Sequence, residues 1–378
     1  MVLDYNKKTK NDILNSLNGY EIVKKNTSNS PNMLIFGENL HVLKVLLTNF
    51  ELKGKVDLIY IDPPFATNNN FTITNGRAST ISNSKSGEIA YTDNLQGANF
   101  IEFIRERLIL LRELLSEQGS IYLHIDYKIG HYVKIMMDEV FGIENFRNDI
   151  TRIKSNPKNF NRIGYSNMKD LILFYSKSEK PIWNEPRQAY TEKDLEKLFP
   201  KTDKNGKRYT TVPLHAPGET QNGNSSKPFK GMKPPVGRHW RTDVETMEQW
   251  DAEGLIEWSS NGNPRKIIYA EEREGKRVQD IWELKDPQYL VYPTEKNAEL
   301  LDLIIKTSSN EDSYVLDCFC GSGTTLKSAY LQKRKWIGID QSEHAINATK
   351  EKLNSLSGDL FVPKCEYQFY EPLMREEK

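Results

Sequence analysis

The chain has 378 residues, of which 37% are hydrophobic, so it is long enough for two domains or for one domain with a large insertion. Lysine plus arginine and aspartate plus glutamate both number 52, and this neutral balance indicates no class of partner. The three cysteines form an odd and sparse set without a CxxC pair or a zinc-like spacing, so we expect a reducing cytoplasm and no metal.

The chain begins with a polar extension over residues 1–30, which carries no apolar signal segment. A run of about 18 apolar residues is absent from the sequence, so we expect neither secretion nor a membrane span. Met33–Phe36 then predicts a short strand, and apolar residues at helical spacing from Leu40 to Leu47 predict a helix. Glu38 lies in the turn between them.

The next strand leads to the first candidate site. Val56–Ile61 is apolar apart from Asp57, as expected for a central parallel strand that is covered on both faces. A carboxylate, two rigid residues without backbone donors and an aromatic ring follow it, and together they suit a flat ring that bears an amino group. These four residues are Asp62, Pro63, Pro64 and Phe65.

A polar segment from Ala66 to Gly97 follows, dominated by Asn, Ser, Thr and Gly. Loops of such length are usually functional or disordered, and we weigh a lid or DNA clasp against disorder. Beyond it, periodicity predicts a helix over residues 100–115, a strand over residues 120–125, a helix through residue 140 and a strand over residues 171–175. At the end of the strand over residues 120–125, Asp126 fits a helix cap better than a catalytic role.

Composition changes over residues 185–282, where Gly, Pro, Asn, Lys and Trp become frequent. We predict an inserted domain here, between two parts of an α/β domain at residues 31–184 and 283–378. Helices over 297–306, 324–332 and 344–356 then alternate with strands over 313–318 and 336–340. This alternation predicts a doubly wound, mostly parallel α/β sheet whose ligands lie outside the carboxyl ends of the strands.

A glycine turn lies within Tyr314–Thr325, which reads YVLDCFCGSGTT. Glycines let a ligand approach the backbone closely, and free amides at the start of a helix favour an anion. The next strand ends at Asp340, about 20 residues later, the spacing at which an acidic side chain holds ribose hydroxyls. The third glycine of a dinucleotide motif is absent, which weighs against a dinucleotide.

DPPF at residues 62–65 and DCFCGSGTT at residues 317–325, in this order, resemble the motifs of permuted, beta-class amino-group DNA methyltransferases that use S-adenosylmethionine. The chain is similar in particular to the adenine-specific modification enzymes related to type III restriction-modification systems. The resemblance covers residues 30–355. It implies a Rossmann-like methyltransferase fold and transfer of a methyl group to the N6 amino group of adenine.

The resemblance also implies residues for the cofactor. Asp317 would support the methionyl amine and the glycine turn, Phe319 would lie at the adenine, and Asp340 would hold the ribose. The methionine end would lie against Gly321, Ser322, Gly323 and Thr324.

Two further residues carry cofactor roles by this resemblance. Lys296, in the PTEK stretch of residues 293–296, would lie near the cofactor carboxylate. Glu38 stands in FGENL where the family usually has aspartate, and it would meet the cofactor's amino group. As alternatives, Glu38, Asp317 and Asp340 could each cap a helix.

The predicted mechanism follows from the weak nucleophilicity of an aromatic amine, whose lone pair is delocalised into the ring. If the Asp62 carboxylate and the Pro63 carbonyl accept its two hydrogens, electron density returns to the nitrogen. Phe65 would stack on the base, and Pro64 would make the backbone after the strand rigid. A fixed geometry of the reacting groups contributes strongly to the rate of catalysis. The base must be flipped out of the duplex, at a cost of a few kcal/mol.

Sequence recognition is expected in the insertion. The segment Lys201–Arg241 contains nine Lys or Arg against two Asp or Glu, interleaved with glycine, proline, asparagine and aromatic residues. Such a segment offers phosphate contacts, stacking surfaces and amide readers. The expected nucleic-acid-binding residues are Lys230, Lys233, Arg238, Trp240 and Arg241.

Three other functions remain open. Cytosine N4 enzymes of this kind more often carry serine at the position of Asp62, and enzymes that methylate protein glutamine or RNA more often carry asparagine. A non-catalytic DNA-binding subunit of a restriction complex would be expected to have lost Asp62 or the glycine turn. Double-stranded DNA is the expected partner, a second copy of the chain and a restriction subunit are further candidates, and no membrane is expected.

Overall fold

The structure is a computed structural model that describes residues 3–5, 8–9, 13, 20–63, 70–74, 77–81, 88–92, 97–156, 163–220, 223–285, 296–356 and 363–373. Between residues 70 and 92 it describes the backbone alone. The chain divides into two compact units, the first formed by Met1–Pro186 with Gln279–Lys378 and the second by Arg187–Val278.

The strands, in chain order, are β1 (Ile22–Lys24), β2 (Met33–Phe36), β3 (Val56–Ile61), β4 (Asn70–Thr74), β5 (Arg77–Ile81), β6 (Glu88–Thr92), β7 (Leu115–Ile125), β8 (Phe146–Ile153), β9 (Lys169–Ser176), β10 (Arg187–Gln188), β11 (Lys201–Thr202), β12 (Arg208–Pro213), β13 (His215–Pro217), β14 (Arg238–Trp240), β15 (Ile256–Trp258), β16 (Pro264–Tyr269), β17 (Lys276–Arg277), β18 (Ile281–Trp282), β19 (Tyr314–Asp317), β20 (Lys335–Asp340) and β21 (Gln368–Pro372). The α-helices are α1 (Asn39–Thr48), α2 (Gly97–Leu114), α3 (Tyr127–Phe141), α4 (Glu192–Leu198), α5 (Val244–Ala252), α6 (Ala298–Ser308), α7 (Thr324–Leu331) and α8 (Glu343–Ser355).

Ten strands of the first unit form one sheet in the order β1-β21-β2-β20-β19-β3-β7-β9-β8-β18. The six neighbouring strands from β21 to β7 are all parallel, whereas β1 and β9 run antiparallel to their neighbours. The predicted α/β class and mostly parallel sheet are therefore confirmed.

The order of the strands reverses direction between β19 and β3. From β2 through β3 to β7 the chain moves across the sheet in one direction, and from β19 through β20 to β21 it moves in the other. Right-handed crossovers then put the connecting helices of the two halves on opposite faces. In agreement, α1, α2 and α3 pack against one another in sequence, and so do α6, α7 and α8. The crevice at such a reversal is the expected ligand site of a doubly wound sheet.

The central strand β3 explains why this sheet is stable. All its residues except Asp57 are buried, because β3 lies between β19 and β7 and is covered on both faces. Asp57 accepts a hydrogen bond from Ser116 Oγ at 2.8 Å, which satisfies the one charged side chain of the strand. The helix α1 adds Leu43 and Leu46, both fully buried, to the same core.

Several elements were not predicted from the sequence. β8 reads FRNDITRI and is only partly buried, so it lacks the apolar run that marks a central strand. Within the segment Ala66–Gly97, the backbone of β4, β5 and β6 forms a three-stranded antiparallel sheet. The prediction of an irregular loop is wrong for these stretches, where threonine, isoleucine and aromatic residues favour strands. The other residues of Ala66–Gly97, apart from Gly97 in α2, lie outside the described residues, and its role stays open.

The second unit has its own small core. A four-stranded sheet in the order β11-β12-β16-β15 is accompanied by the hairpin β13–β14 and the pair β10–β17. Leu214, Phe229, Trp240, Val244 and Met247 form its buried cluster. In the described parts of both units, every helix is too short or too polar to cross a lipid bilayer.

Replacing Leu43 by alanine should destabilise the first unit by about 2–5 kcal/mol, because the fully buried side chain would leave a cavity. Leu331→Ala is the matched control, since this helical leucine is 45% exposed and should change stability by less than about 0.5 kcal/mol. Denaturant unfolding of both variants measures the difference. Equal losses would contradict the placement of α1 against the sheet.

Candidate active site

The candidate site lies where the carboxyl ends of β19 and β3 meet. The two strands are parallel neighbours, so the residues that follow Asp317 and Ile61 enter the same crevice. Both predicted motifs, separated by about 250 positions in the sequence, are thereby brought together. The crevice is lined by Tyr60, Asp62, Lys296, Leu301, Asp317, Phe319, Cys320, Gly321, Ser322, Thr324 and Thr325.

The turn after β19 depends on its glycines. Gly321 and Gly323 have φ angles of 51° and 74°, which lie in the left-handed region that favours glycine. A Cβ atom on Gly323 would also lie 2.8 Å from the side chain of Thr349. Thr349 donates a hydrogen bond from Oγ1 to the Gly321 carbonyl at 2.9 Å, so the turn is tied to α8. The result is a close-packed turn that leads into the amino-terminal end of α7.

Asp317 braces this turn from beneath. Its carboxylate accepts from the Phe319 N–H at 3.0 Å and from Thr325 Oγ1 at 2.6 Å. The side chain is almost completely buried, and burial raises the pKa of the carboxyl to about 7. Asp317 is therefore a buried acid whose ionisation is sensitive to any charge that enters the crevice.

Asp340 ties the turn to the neighbouring strand β20. One of its oxygens accepts from the Gly321 N–H at 2.9 Å, and the other accepts from the Ser342 N–H at 2.9 Å. Burial raises the pKa of this carboxyl as well. Because a carboxylate oxygen has two lone pairs, both oxygens keep the capacity to accept from a ligand hydroxyl.

Lys352 is a site residue that the sequence reasoning missed. It lies on α8, and its Nζ donates to Ser322 Oγ at 2.9 Å and to Thr324 Oγ1 at 2.8 Å. This contact places a positive charge beside the glycine turn. No local motif marks Lys352, because only the packing of α8 against α7 brings it to the turn.

Glu38 joins a network of polar side chains between β2 and β19. It caps α1 by accepting from the His41 N–H at 3.1 Å, and it forms an ion pair with the buried Arg107. Burial favours a higher pKa for this carboxyl, but Arg107 and the cap hold the Glu38 pKa below its usual range. Arg107 also donates to Asn39 Oδ1 at 2.5 Å, and Asn39 donates to the Cys318 carbonyl at 2.8 Å. These hydrogen bonds therefore connect the turn at Glu38 to the end of β19.

Phe103 is a second missed residue. Its ring centroid lies 6.1 Å from that of Phe319, and the guanidinium carbon of Arg107 lies 3.5 Å from the Phe103 centroid. The two phenylalanines make an aromatic wall beside the glycine turn. The sequence pattern predicted only a helix for this segment, because helical periodicity does not distinguish a core face from a ligand-facing position.

Asp62, at the end of β3, lines the same crevice as the turn, and only one of its two carboxylate oxygens has a donor among the described residues. Oδ2 lies 2.7 Å from Lys296 Nζ. Oδ1 is buried and has no hydrogen-bond donor among the described residues. A buried acceptor without a donor is rare in proteins and needs an explanation. Lys296 thus contacts Asp62 of the DPPF stretch in this structure, and its predicted place at the cofactor carboxylate stays a prediction.

Behind Asp62 lies a buried histidine that the sequence reasoning did not use. His124 Nδ1 is 3.8 Å from Asp62 Oδ1 and 3.0 Å from the Tyr60 hydroxyl. Its Nε2 is 3.3 Å from Asp170 Oδ2. Asp126 caps α3 by accepting from the Lys128 N–H at 2.9 Å, as predicted. The strand ends of β7 and β9 therefore extend the polar site beyond the two motifs.

Pro64 and Phe65 lie outside the described residues, and so do residues 293–295 of the PTEK stretch. Pro63 is described and buried. The roles predicted for Pro63, Pro64 and Phe65 stay predictions.

In the second unit, the predicted DNA-contacting residues differ in exposure. Lys233, Arg238 and Arg241 are exposed. Lys230 is also exposed and forms an ion pair with Asp251. Trp240, in contrast, is fully buried, and its Nε1 donates to the Lys227 carbonyl at 2.9 Å. The predicted DNA contact of Trp240 is therefore wrong, because its ring packs in the core of this unit.

The exposed arginines surround a histidine on the hairpin β13–β14. Arg238 Nη1 lies 3.2 Å from His215 Nδ1, and Arg241 donates to the His215 carbonyl at 3.3 Å. Partial burial and the positive charges of Arg238, Arg241 and Arg265 lower the pKa of His215. A neutral imidazole next to these guanidinium groups holds the hairpin side chains in place without adding charge.

Comparison with known proteins agrees with the two motifs. The family model N6_N4_Mtase, described as DNA methylase, matches residues 56–351. The type II methyltransferase M.EcaI of Enterobacter cloacae is 41% identical over 340 residues, which cover 88% of this chain and 72% of that protein. The StyLTI Mod subunit of a type III restriction-modification enzyme of Salmonella typhimurium is 27% identical over 331 residues, which cover 79% of this chain and 49% of the subunit. The chain thus spans about half the length of that subunit.

A solved structure, the M1.HpyAVI–SAM complex, is 17% identical and has a TM-score of 0.43, with 85% of this chain and 99% of that chain covered. The family model spans most of the chain and includes the stretches DPPF and DCFCGSGTT, whose residues Asp62 and Asp317 line the crevice. The relative from Enterobacter cloacae is similar over 88% of the length of this chain. The chain therefore belongs to the N6/N4 family of DNA methylases.

Proposed function

We propose that this protein transfers a methyl group from S-adenosylmethionine to the N6 amino group of an adenine that is flipped out of duplex DNA. The observation that carries the proposal is the open Oδ1 of Asp62. It is a buried acceptor without a donor among the described residues, and it belongs to a residue that lines the crevice where β3 and β19 meet. An aromatic amine supplies the missing donor hydrogen.

The described residues of the crevice fit the cofactor. Gly321 and Gly323 let it approach the backbone, and Lys352 beside the turn complements its carboxylate. Asp317 is a buried acid that suits its ammonium group, and Asp340 keeps acceptor capacity for its ribose. Phe319, together with Phe103, offers an apolar wall for its adenine.

When bound, S-adenosylmethionine supplies a sulfonium methyl group, whose carbon–sulfur bond breaks as the target nitrogen forms its new bond. Asp62 Oδ1 and the Pro63 carbonyl accept the two amine hydrogens and direct the nitrogen lone pair away from the ring. Asp62 then takes the surplus proton from the methylated nitrogen. Lys296 holds Oδ2 of the same carboxylate at 2.7 Å, which fixes the direction of Oδ1. Such preorganised acceptors are a principal source of catalysis in a shielded site.

Adenine is favoured over cytosine because the first residue of the base motif is an acid. Asp62 stands where cytosine N4 enzymes more often carry serine, which cannot act as an anionic acceptor. The similarity to a type III Mod subunit supports a restriction-modification role, with duplex DNA as substrate. Cytosine N4 is the second candidate, because the family of this chain includes N6 and N4 enzymes. A restriction subunit, a homodimer and a cytoplasmic location remain predictions.

Asp62→Ala should lower methyl transfer to duplex DNA by at least about 100-fold, because the amine loses its anionic acceptor. Transfer of a labelled methyl group, followed by digestion of the DNA to nucleosides, measures both the rate and the modified base. Asp57→Ala is the matched control on the amino-terminal side of β3 and should retain the wild-type rate. Label in cytosine would overturn the adenine assignment, and full activity of Asp62→Ala would overturn the mechanism.

Binding of S-adenosylhomocysteine, which has the same ammonium group, should become tighter by about tenfold from pH 6 to pH 8. The Asp317 carboxyl has a pKa of about 7, so at pH 6 most molecules must release a proton before the ammonium pairs with the carboxylate. Calorimetry in two buffers of different ionisation enthalpy measures this proton release. Asp317→Asn should abolish it, and wild-type binding without proton release would contradict the role of Asp317.

Replacing Lys233, Arg238 and Arg241 together by alanine should weaken DNA binding and lower its salt dependence. Each lost phosphate contact reduces the slope of log K against log salt by about 0.9. Fluorescence anisotropy over a salt series measures both quantities. The matched control replaces Lys53, Lys55 and Lys333, three exposed lysines of the first unit that precede β3 and β20. Equal effects of the two triple variants on DNA binding would contradict the predicted contact between this hairpin and DNA.

A further inference from the structure

The hairpin β13–β14 of the second unit has an exposed end that carries a cation without an acidic partner. Its two strands form a sheet of their own, and Trp240 and Leu214 anchor the other end of the hairpin in the core. At the exposed end, Pro217 lies opposite Arg238. Arg238 is exposed and forms no ion pair among the described residues. This guanidinium group is therefore available to a ligand.

The backbone at the exposed end of the hairpin is tightly held. The Arg238 N–H donates to the Pro235 carbonyl at 3.0 Å, and Gly237 between them has a φ of 75°, so the chain makes a tight turn here. The Gly237 N–H donates to Glu219 Oε1 at 3.0 Å, and the Gly237 carbonyl accepts from the Gly218 N–H at 3.0 Å. These bonds fix the direction in which β14 begins.

His215 fixes the direction of the Arg238 side chain. Arg238 Nη1 lies 3.2 Å from His215 Nδ1, and Nδ1 accepts because a guanidinium has only donor hydrogens. Partial burial, and then the charges of the nearby arginines, lower the pKa of His215, so the imidazole stays neutral and able to accept. The other edge of the guanidinium, formed by Nε and Nη2, has no partner among the described residues. It offers two parallel N–H donors.

Two parallel donors match either a phosphate or the O6 and N7 atoms of guanine in the major groove. Two features of the hairpin favour the base. A two-stranded β-ribbon fits into the major groove. Val236, the residue at the turn, is 99% exposed, and an apolar side chain gains nothing beside a phosphate, whereas the major groove presents thymine methyl groups.

We propose that the hairpin β13–β14 enters the major groove of the substrate DNA, where Arg238 donates two hydrogen bonds to a guanine of the recognition sequence and His215 positions its guanidinium. This inference rests on the proposed function for duplex DNA as the substrate. Arg238 is then a specificity-determining residue, whereas Lys233 and Arg241 keep their predicted phosphate contacts.

The first measurement finds the recognition sequence by binding alone. The full-length protein, with S-adenosylhomocysteine present, selects duplexes from a random pool, and sequencing gives the base preference at each position. The wild type should prefer guanine at one or more positions, and Arg238→Ala should lose the preference at one guanine and keep the others. A selected site without guanine, or the absence of any selected site, would overturn the proposal.

Arg241→Ala is the matched control. Arg241 is also exposed and donates to the His215 carbonyl at 3.3 Å, but it follows Trp240 at the anchored end of the hairpin. Its loss should weaken binding to all sequences by a similar factor and lower the slope of log K against log salt by about 0.9. If Arg241→Ala, rather than Arg238→Ala, loses the guanine preference, the assignment to Arg238 is wrong.

The second measurement removes one acceptor from the DNA. Each guanine of the selected site is replaced in turn by 7-deazaguanine, which lacks N7. At one position this should weaken wild-type binding by at least about fivefold and should cost Arg238→Ala no further affinity. Hypoxanthine is the control base, because it keeps N7 and O6 and lacks only the minor-groove amine, so binding there should be unchanged. Additive losses from the two changes would contradict the contact.

His215→Phe tests the positioning role. It removes the acceptor at Nδ1 but keeps every positive charge, so the salt slope and the melting temperature should stay at their wild-type values. The penalty for 7-deazaguanine should fall, because the guanidinium is no longer held. An unchanged penalty would overturn the role of His215.

None of these binding measurements requires methyl transfer, so the inference and the proposed function can fail separately. A protein that prefers the guanine through Arg238 but methylates neither adenine nor cytosine refutes the function and supports the inference. A protein that methylates adenine while Arg238→Ala keeps the full 7-deazaguanine penalty refutes the inference alone.

Discussion

The parallel pairing of β3 with β19 is the constraint on which the site depends. These strands belong to two halves of the chain that cross the sheet in opposite directions, and they meet at the reversal. Their carboxyl ends open into one crevice, because the helices of the two halves pack on opposite faces of the sheet and leave a gap between them. Asp62 and the residues of the glycine turn, which are far apart in sequence, therefore line one crevice.

Buried acids then organise this crevice in different ways. Asp317 and Asp340 each accept two hydrogen bonds that hold the glycine turn, so they are structural braces as well as candidate ligand contacts. Asp62 differs, because only one of its oxygens has a donor among the described residues. A buried acceptor without a donor costs free energy. A hydrogen bond donated by a ligand would offset that cost. This contrast separates residues that hold the site from the residue that is proposed to act in it.

The alternatives of ligand contact and helix cap are not exclusive in this fold. Glu38 caps α1 and also pairs with Arg107, whose other contacts reach Asn39 and through it the end of β19. The cap fixes the backbone at the start of α1. The ion pair, together with the hydrogen bonds of Arg107 and Asn39, connects Glu38 to the end of β19. The buried tryptophan of the second unit shows the opposite case. Trp240, a residue type that suits DNA stacking, instead packs in the core of the second unit with Leu214, Phe229, Val244 and Met247.

The sequence by itself determined the α/β class, the strands β3, β19 and β20, and the two motifs at their ends, because central parallel strands are apolar runs and glycine turns are local. It could not determine the partly polar strand β8, since strands near an edge need no continuous apolar run. Lys352, Phe103, Arg107 and the His124–Asp170 pair were decided only by the tertiary structure. These residues come from other helices and strands, and they reach the site through packing and strand order, which no local pattern encodes.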